Sequence, residues 1–83
     1  MSKPDFLDEP PAGEQLTEYD RAHLVTYLRL LDADAEDAAW EEIVRLVFGL
    51  DPAKQPRRAE RIHALHLARA RWMTERGYLD LLH

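Results

Sequence analysis

Apolar residues recur at helical spacing in three segments of this chain. In the first segment, Leu24, Leu28 and Leu31 follow i, i+4, i+7 spacing, which is typical of the buried face of an amphipathic helix. Thr17 precedes a turn that contains two acidic residues, and this combination favours a helix start. The pattern therefore predicts a helix over residues 18–33.

A second apolar strip lies beside this face and contains Tyr19, His23 and Leu30. The two strips together form an arc that is wider than one neighbouring helix covers. The helix is therefore either packed on two sides or partly exposed to a partner. We predict that a protein partner contacts this strip, together with Trp72 and Tyr78 near the end of the chain. The alternative is that these residues complete a small core.

The second segment predicts a helix over residues 38–48. Its apolar positions form an uninterrupted stripe: Trp40, Ile43, Val44, Val47 and Phe48. Asp34 or Asp37 can cap the start of this helix, and Gly49 can end it as a C′ glycine. We expect Trp40 to be a core anchor.

The third segment follows a connector, residues 49–56, that contains two prolines. This connector is longer than the turn of about 3–4 residues in an ordinary helix-turn-helix unit. Pro56 suits the first position of a helix that extends to Arg76, with Gly77 as its cap. One face of this helix consists of Ala59, Ile62, His66, Ala70 and Met73. The sequence thus predicts a small all-α domain over residues 17–83, with three to four helices. It is a helix-turn-helix variant with an extended turn between its second and third helices.

Residues 1–16 differ from the rest of the chain. Three prolines and a glycine lie among four acidic residues, and no hydrophobic period emerges. We expect a disordered acidic arm, with Phe6 and Leu7 as the only residues that could anchor it to the domain.

The sign of the charge changes along the chain. Residues 1–53 hold four basic and thirteen acidic residues, residues 54–83 hold seven basic and three acidic residues, and the net charge is −5. The start of the third helix carries a basic cluster: Lys54, Arg57, Arg58 and Arg61. In a DNA-binding unit these residues would contact phosphates and base edges. The alternative is that the arginines pair with the acidic helices, and an acidic domain must overcome its own repulsion before it binds DNA.

Residues for catalysis or metal binding are scarce. The chain has no cysteine, its one serine is Ser2 in the arm, and it has no glycine-rich phosphate loop. His63 and His66 lie one turn apart, but no third residue is spaced to join them at a metal ion. We therefore expect neither an enzyme nor a cofactor. No apolar run is long enough to cross a membrane and no signal peptide is recognisable, so a cytoplasmic protein is expected.

Four stretches carry a resemblance to a known family: EYDRAHLVTYLRLLD at 18–32, WEEI at 40–43, DP at 51–52 and HLARARWMTERGY at 66–78. On these stretches, residues 16–83 resemble the QseM-type antiactivators. These are small single-domain members of a domain family of unknown function that is encoded on proteobacterial integrative and conjugative elements. The family is a helix-turn-helix variant with an extended turn, in agreement with the connector described above.

The resemblance implies a role in transcription. In two-domain members of the family the domain is the DNA-binding part of a transcriptional activator. Small acidic members oppose such activators by occupying the activator's partner domain in place of its own copy. We therefore expect a monomeric antiactivator, with no small-molecule substrate and with weak or absent DNA binding. It would bind a transcriptional activator and block genes for excision and transfer of a mobile element, in connection with quorum sensing.

Two other functions stay open. The first is a sequence-specific DNA-binding regulator that uses the basic cluster on the third helix, residues Lys54, Arg57, Arg58 and Arg61. The second is an inhibitor of the toxin–antitoxin or phage-encoded type, for which no residue gives support.

Overall fold

The computed structural model describes residues 6–77, and in that part of the chain every regular element is a helix. The helices are, in chain order, α1 (Glu18–Ala22), α2 (Leu24–Ala35), α3 (Trp40–Ile43) and α4 (Pro56–Trp72). Two of them continue as a wider π-helical turn, α3 over Val44–Phe48 and α4 over Met73–Gly77. The predicted all-α class is confirmed, as is the extended turn before the last long helix.

The predicted first helix begins at its predicted N-cap but is interrupted. Thr17 Oγ1 accepts from the Asp20 backbone N–H at 3.3 Å, and an Asp20 carboxylate oxygen accepts from the Thr17 N–H at 2.9 Å. This reciprocal capping satisfies two donors at the start of the helix. At His23 the backbone leaves helical geometry (φ −115°, ψ 22°), and the His23 ring donates through Nδ1 to the Tyr19 carbonyl at 2.8 Å. The predicted helix is therefore two elements, α1 and α2.

The buried face of α2 differs from the predicted stripe. Tyr27 and Leu30 are fully buried, whereas Leu28 is 54% exposed. Leu24 and Leu31 are half-buried at the margins of this face. Because consecutive residues of an α-helix are about 100° apart around its axis, Leu28 cannot share the buried face centred on Tyr27, and its side chain points away from the core. The prediction of Leu28 in the core is therefore wrong.

α3 keeps most of its predicted buried stripe. Four of the five predicted positions are buried: Ile43, Val44, Val47 and Phe48. Trp40 is only half-buried, with its ring centroid 6.3 Å from that of His63. The prediction of Trp40 as a core anchor is wrong because α3 begins at this residue, which places it at the margin of the contact with α4. Neither Asp34 nor Asp37 caps α3, since its N-cap is Ala39, which makes no side-chain hydrogen bond.

Local geometry closes the extended turn between α3 and α4. Gly49 has a left-handed backbone (φ 67°), as predicted for a glycine that ends a helix. Asp51 Oδ1 accepts from the Ala53 N–H at 2.9 Å, which is the short-range bond that favours aspartate in turns. Pro52 is buried, and Pro56 takes the first position of α4 as predicted.

The core consists of two clusters that both involve α4. One contains Leu30, Ile43, Val47, Phe48, Ile62 and Leu67. The other contains Leu16, Tyr27, Ala70 and Met73. The predicted apolar face of α4 is buried from Ala59 to Met73, so this helix forms the wall that α2 and α3 pack against.

A buried ion pair joins α1 to α4. Arg69 Nε lies 3.0 Å from Asp20 Oδ1 and Arg69 Nη2 lies 2.7 Å from Oδ2, and the two side chains are 4% and 1% exposed. The Tyr27 hydroxyl donates to Asp20 Oδ1 at 2.7 Å. Arg69 also donates to the carbonyls of Gly13 and Gln15, at 2.5 and 2.9 Å. This guanidinium therefore ties the chain that precedes α1 to the helices.

The segment before α1 lies against the helices over residues 6–16. The sequence predicts a disordered arm over residues 1–16; residues 1–5 lie outside the described part of the chain, and the domain boundary at residue 17 stays a prediction. Phe6, one of the two predicted anchors, packs edge-on against Phe48, with ring centroids 5.0 Å apart. Leu16 is buried in the core. Residues 6–15, which end in the backbone held by Arg69, are named the docked arm.

Candidate functional site

The basic cluster lies at the start of α4. All four of its side chains are exposed: Lys54, Arg57, Arg58 and Arg61. Lys54 lies in the extended turn, and the three arginines project from the first two turns of α4. Arg58 Nη1 donates to Gln55 Oε1 at 3.0 Å. α4 follows the turn as a recognition helix does in a helix-turn-helix unit, so these residues stand where base and phosphate contacts are made.

The docked arm covers two of these arginines. Asp8 accepts from Arg58 at two points, Nε to Oδ2 at 2.9 Å and Nη2 to Oδ1 at 2.9 Å. Glu9 accepts from Arg61 Nη2. The Arg58 hydrogen bonds hold the pKa of Asp8 below its ordinary value of 3.8. Two carboxylates of the chain therefore occupy two of the arginines that would contact DNA in the alternative, DNA-binding function.

Aromatic contacts fix the start of the docked arm. The Phe6 ring lies 6.5 Å from the His66 ring as well as against Phe48. The Leu7 backbone N–H donates to the Tyr19 hydroxyl at 3.0 Å. These contacts place the chain so that the two acidic residues that follow Leu7 reach the basic cluster.

His66 is the buried group on which these contacts converge. Its Nδ1 lies 2.8 Å from the Ile62 carbonyl, which only accepts, so Nδ1 carries a proton. Burial lowers the pKa of His66, and the neutral ring then accepts at Nε2 from the Tyr19 hydroxyl at 2.7 Å. Tyr19 thus accepts from Leu7 and donates to His66. This chain of bonds links the docked arm to the core of α4.

The predicted partner-binding residues within the described part of the chain differ in exposure and in contacts. Tyr19 and His23 are half-buried and stacked, with ring centroids 4.0 Å apart and an interplanar angle of 18°. Trp72 is half-buried beneath the Arg69 guanidinium, whose carbon lies 3.9 Å from the ring centroid. Leu30 is fully buried, so the packed domain offers no access to it. Tyr78 lies outside the described residues.

Some apolar side chains are exposed at positions that were not predicted to bind a partner. Val25 and Leu28 lie one helical turn apart on α2 and are 62% and 54% exposed. Leu46 on the π-helical turn of α3 is 72% exposed. The i, i+3 spacing of Val25 and Leu28 was a signal available in the sequence, but only the packing of α2 on α4 decides which face is outward.

A cleft of about 340 Å³ separates the docked arm from the middle of α4. Its apolar walls are Pro10, Pro11, Leu65, Ala68 and Trp72. The arm therefore contacts α4 at the basic cluster, spans the cleft, and is held again where Arg69 binds the carbonyls of residues 13 and 15.

Metal-binding geometry is absent from residues 6–77, where no group of three His, Asp or Glu side chains could hold an ion. Both ring nitrogens of His66 are already hydrogen bonded, so this residue is not available to join His63 as a ligand. Within the same residues, no helix combines the length and the apolar character needed to span a bilayer.

The fold defines the class of protein as a small all-α domain of the helix-turn-helix-like type. Residues 6–83 match the family model RovC_DNA-bd, which is described as "T6SS, Transcription factor, DNA binding domain", and the chain belongs to this family. No curated protein matches the chain in sequence. Family membership assigns the chain to transcription regulation.

Proposed function

We propose that this protein is an antiactivator, which binds a transcriptional activator and opposes expression of genes for excision and transfer of a mobile element, in connection with quorum sensing. The observation that carries the proposal is the pairing of Arg58 and Arg61 with Asp8 and Glu9. A DNA-binding relative would use such arginines on phosphates. This chain has the helical fold of such a domain, but its own carboxylates neutralise two of the four positive charges of that contact surface.

The distribution of charge supports this proposal. Four arginines of α4 each bind a carboxylate within the described residues: Arg58, Arg61, Arg69 and Arg71. The whole chain has a net charge of −5. Because DNA affinity comes mainly from neutralised phosphates, this balance disfavours binding to duplex DNA and favours a protein partner. The regulator would act in the cytoplasm as a monomer.

The exposed residues of α2 supply a candidate surface for the activator. Val25 and Leu28 present adjacent apolar side chains to solvent, and adjacent exposed apolar groups are a common feature of protein-binding sites. Tyr19, His23 and Trp72, each half-buried, remain candidates for contacts at the edge of such an interface. Leu30 is left out of the proposed surface because it is fully buried.

A second candidate function is direct DNA binding by α4. It is favoured by the family description, which names a DNA-binding domain, and by the exposure of all four members of the basic cluster. Lys54 and Arg57 have no carboxylate partner among residues 6–77 and would be the first contacts with phosphate.

Co-purification and a reporter assay test the antiactivator function. The probe is the activator with a homologous domain that is encoded nearest to this gene. We expect the wild-type chain to co-purify with it and to lower activity of the activator's promoter. Leu28→Asp should lose both effects, whereas the matched control Leu46→Asp, also at an exposed leucine, should keep them. Circular dichroism confirms that both variants keep their helices.

A DNA titration separates the two candidate functions. At about 150 mM salt, we expect the wild-type chain to bind a labelled duplex of about 20 base pairs no more tightly than ~10⁻⁴ M. A sub-micromolar, sequence-dependent isotherm would contradict the antiactivator and support the DNA-binding regulator.

A further inference from the structure

We infer that the docked arm is an internal competitor for duplex DNA: Asp8 and Glu9 mask a phosphate-binding face on α4 that becomes available when the arm leaves. This inference goes beyond the proposed function, because it assigns a latent ligand to a protein that is proposed to act without DNA. It rests on the contacts between residues 8–9 and the basic cluster.

The geometry of the Asp8–Arg58 contact is that of a phosphate contact. Arg58 donates through Nε and Nη2 to the two oxygens of one carboxylate, both at 2.9 Å. The same fork of the guanidinium binds two oxygens of a phosphate. Glu9 occupies Arg61, which lies about one helical turn further along α4. Two consecutive residues of the arm therefore present two anionic groups to two arginines on one face of the helix.

The arm is attached through a buried arginine at one end and through one half-buried ring, one hydrogen bond and surface ion pairs at the other. Arg69, which is buried, holds the backbone at Gly13 and Gln15, so this end stays fixed. The ion pairs of Asp8 and Glu9 are at the surface, where water and salt weaken them. Beyond these pairs, residues 6–12 are held by the half-buried Phe6 ring and by one backbone hydrogen bond from Leu7. A cleft of about 340 Å³ lies between Pro10 and Pro11 in the middle of the arm and the facing side chains of α4.

Release of the arm changes the charge of the face that it covers. The basic cluster holds four positive charges, and Glu60 is the one acidic residue between them on α4. With Asp8 and Glu9 in place, two of the four charges are neutralised. Without them, two further phosphates can be bound, and each bound phosphate contributes about 0.9 to the slope of log affinity against log salt. Since the inference concerns contacts with phosphates, which carry no sequence information, we expect the added affinity to depend little on sequence.

The test uses the full chain with two isosteric substitutions, Asp8→Asn and Glu9→Gln. The matched control is Asp32→Asn with Glu36→Gln, which removes the same charge from two exposed positions, one in the last turn of α2 and one at its C-cap. These positions flank Asp34, which binds Arg71, and Arg71 lies about 20 Å along α4 from Arg58. Each protein is titrated against a labelled mixed-sequence duplex at about 50 and 200 mM salt. Thermal melts followed by circular dichroism report whether each variant is folded.

We expect the arm variant to bind the duplex about tenfold more tightly than wild type at the lower salt concentration, and to lose about tenfold more affinity at the higher one. The control should behave as wild type does. Addition of Arg58→Ala and Arg61→Ala to the arm variant should abolish the gain. If the arm variant does not fold, the single substitution Asp8→Lys, which repels Arg58, gives the same test.

Three results would overturn the inference. The first is an equal gain in DNA affinity in the arm variant and in the control. The second is no gain in DNA affinity in an arm variant that is folded. The third is that the arm variant binds a poly-glutamate competitor as tightly as it binds the duplex. The first result would mean that net charge alone sets affinity. A failure of the proposed function looks different: there the wild-type chain already binds DNA in the sub-micromolar range, whether or not the arm variant binds more tightly.

Discussion

Arg69 and Asp20, 49 positions apart in the chain, form a two-point ion pair that is closed to solvent. The same guanidinium lies over the Trp72 ring and binds two carbonyls of the segment that precedes α1. One side chain thus connects α1, α4 and the fixed end of the docked arm. A buried charge is tolerated only while its partner is present, so this connection is also a point of vulnerability.

Arg69→Met is expected to lower the free energy of unfolding by about 3–5 kcal/mol, because it leaves the Asp20 carboxylate buried without its counter-charge. The matched control is Arg71→Met, which breaks an ion pair with Asp34 whose side chains are about half exposed. The control should have a much smaller effect. Urea unfolding followed by circular dichroism measures both, and equal losses would contradict the assigned role of Arg69.

The stability of the domain is expected to fall in acid. Burial raises the pKa of Asp20, but hydrogen bonds from Arg69, the Thr17 N–H and the Tyr27 hydroxyl outweigh it and lower the pKa to about 2. Since the unfolded chain binds this proton more readily, the contribution of Asp20 is complete above about pH 5 and is lost as the pH falls towards 2. The loss should amount to about 2 kcal/mol. Urea unfolding at several pH values measures it; a free energy of unfolding that stays constant over this range would speak against the buried pair.

His66 is expected to add a second, milder dependence on pH. Burial lowers its pKa from the ordinary value of 6.5, so the folded protein favours the neutral ring. The unfolded chain then binds more protons below about pH 6.5, and the free energy of unfolding declines as the pH falls through this region. His66→Gln should reduce that decline between about pH 7.5 and 5.5. Because burial also lowers the pKa of His63, some decline should remain. An unchanged decline in the His66→Gln variant would rule out His66 as its source.

Two leucines of α2 give a direct test of which face is buried. Leu30→Ala should cost about 2–5 kcal/mol of stability, as removal of a fully buried leucine does. Leu28→Ala should change stability by no more than about 0.5 kcal/mol, because its side chain is more than half exposed. The melting temperatures of both variants measure these effects. A larger loss of stability in Leu28→Ala than in Leu30→Ala would mean that the buried face is the one predicted from the sequence.

Local patterns explain which parts of the fold could be predicted. Helix periodicity, the Thr17 cap and the left-handed Gly49 depend on residues within one or two turns, so the sequence is sufficient to place them. The buried face of α4 was also predictable, because Ile62 and Ala70 belong to one long run with a single period.

The orientation of α2 could not be predicted in the same way. Leucines lie on both sides of Tyr27, and Leu28 and Leu30 fit different helical stripes equally well. The choice between them depends on where α4 packs, which periodicity does not report. Trp40 is a similar case, since its burial depends on where α3 begins.

The candidate site depended on contacts between distant residues. Asp8 and Arg58 are 50 positions apart, and nothing local to either residue indicates the other. One alternative drawn from the sequence is that the arginines of α4 pair with acidic residues of the helices. Arg71 pairs with a helix residue, Asp34, whereas Arg58 and Arg61 pair with the segment that was predicted to be disordered. A segment composition rich in proline and acidic residues describes that segment in isolation and says nothing of the counter-charges on α4.

The docked arm runs in the same direction as α4, from Asp8 beside Arg58 to Gly13 beside Arg69. Because Arg69 holds the backbone at Gly13, the number of residues between Asp8 and Gly13 decides whether the two carboxylates reach their arginines. An insertion or a deletion in this stretch would therefore unmask the basic cluster without changing any charge.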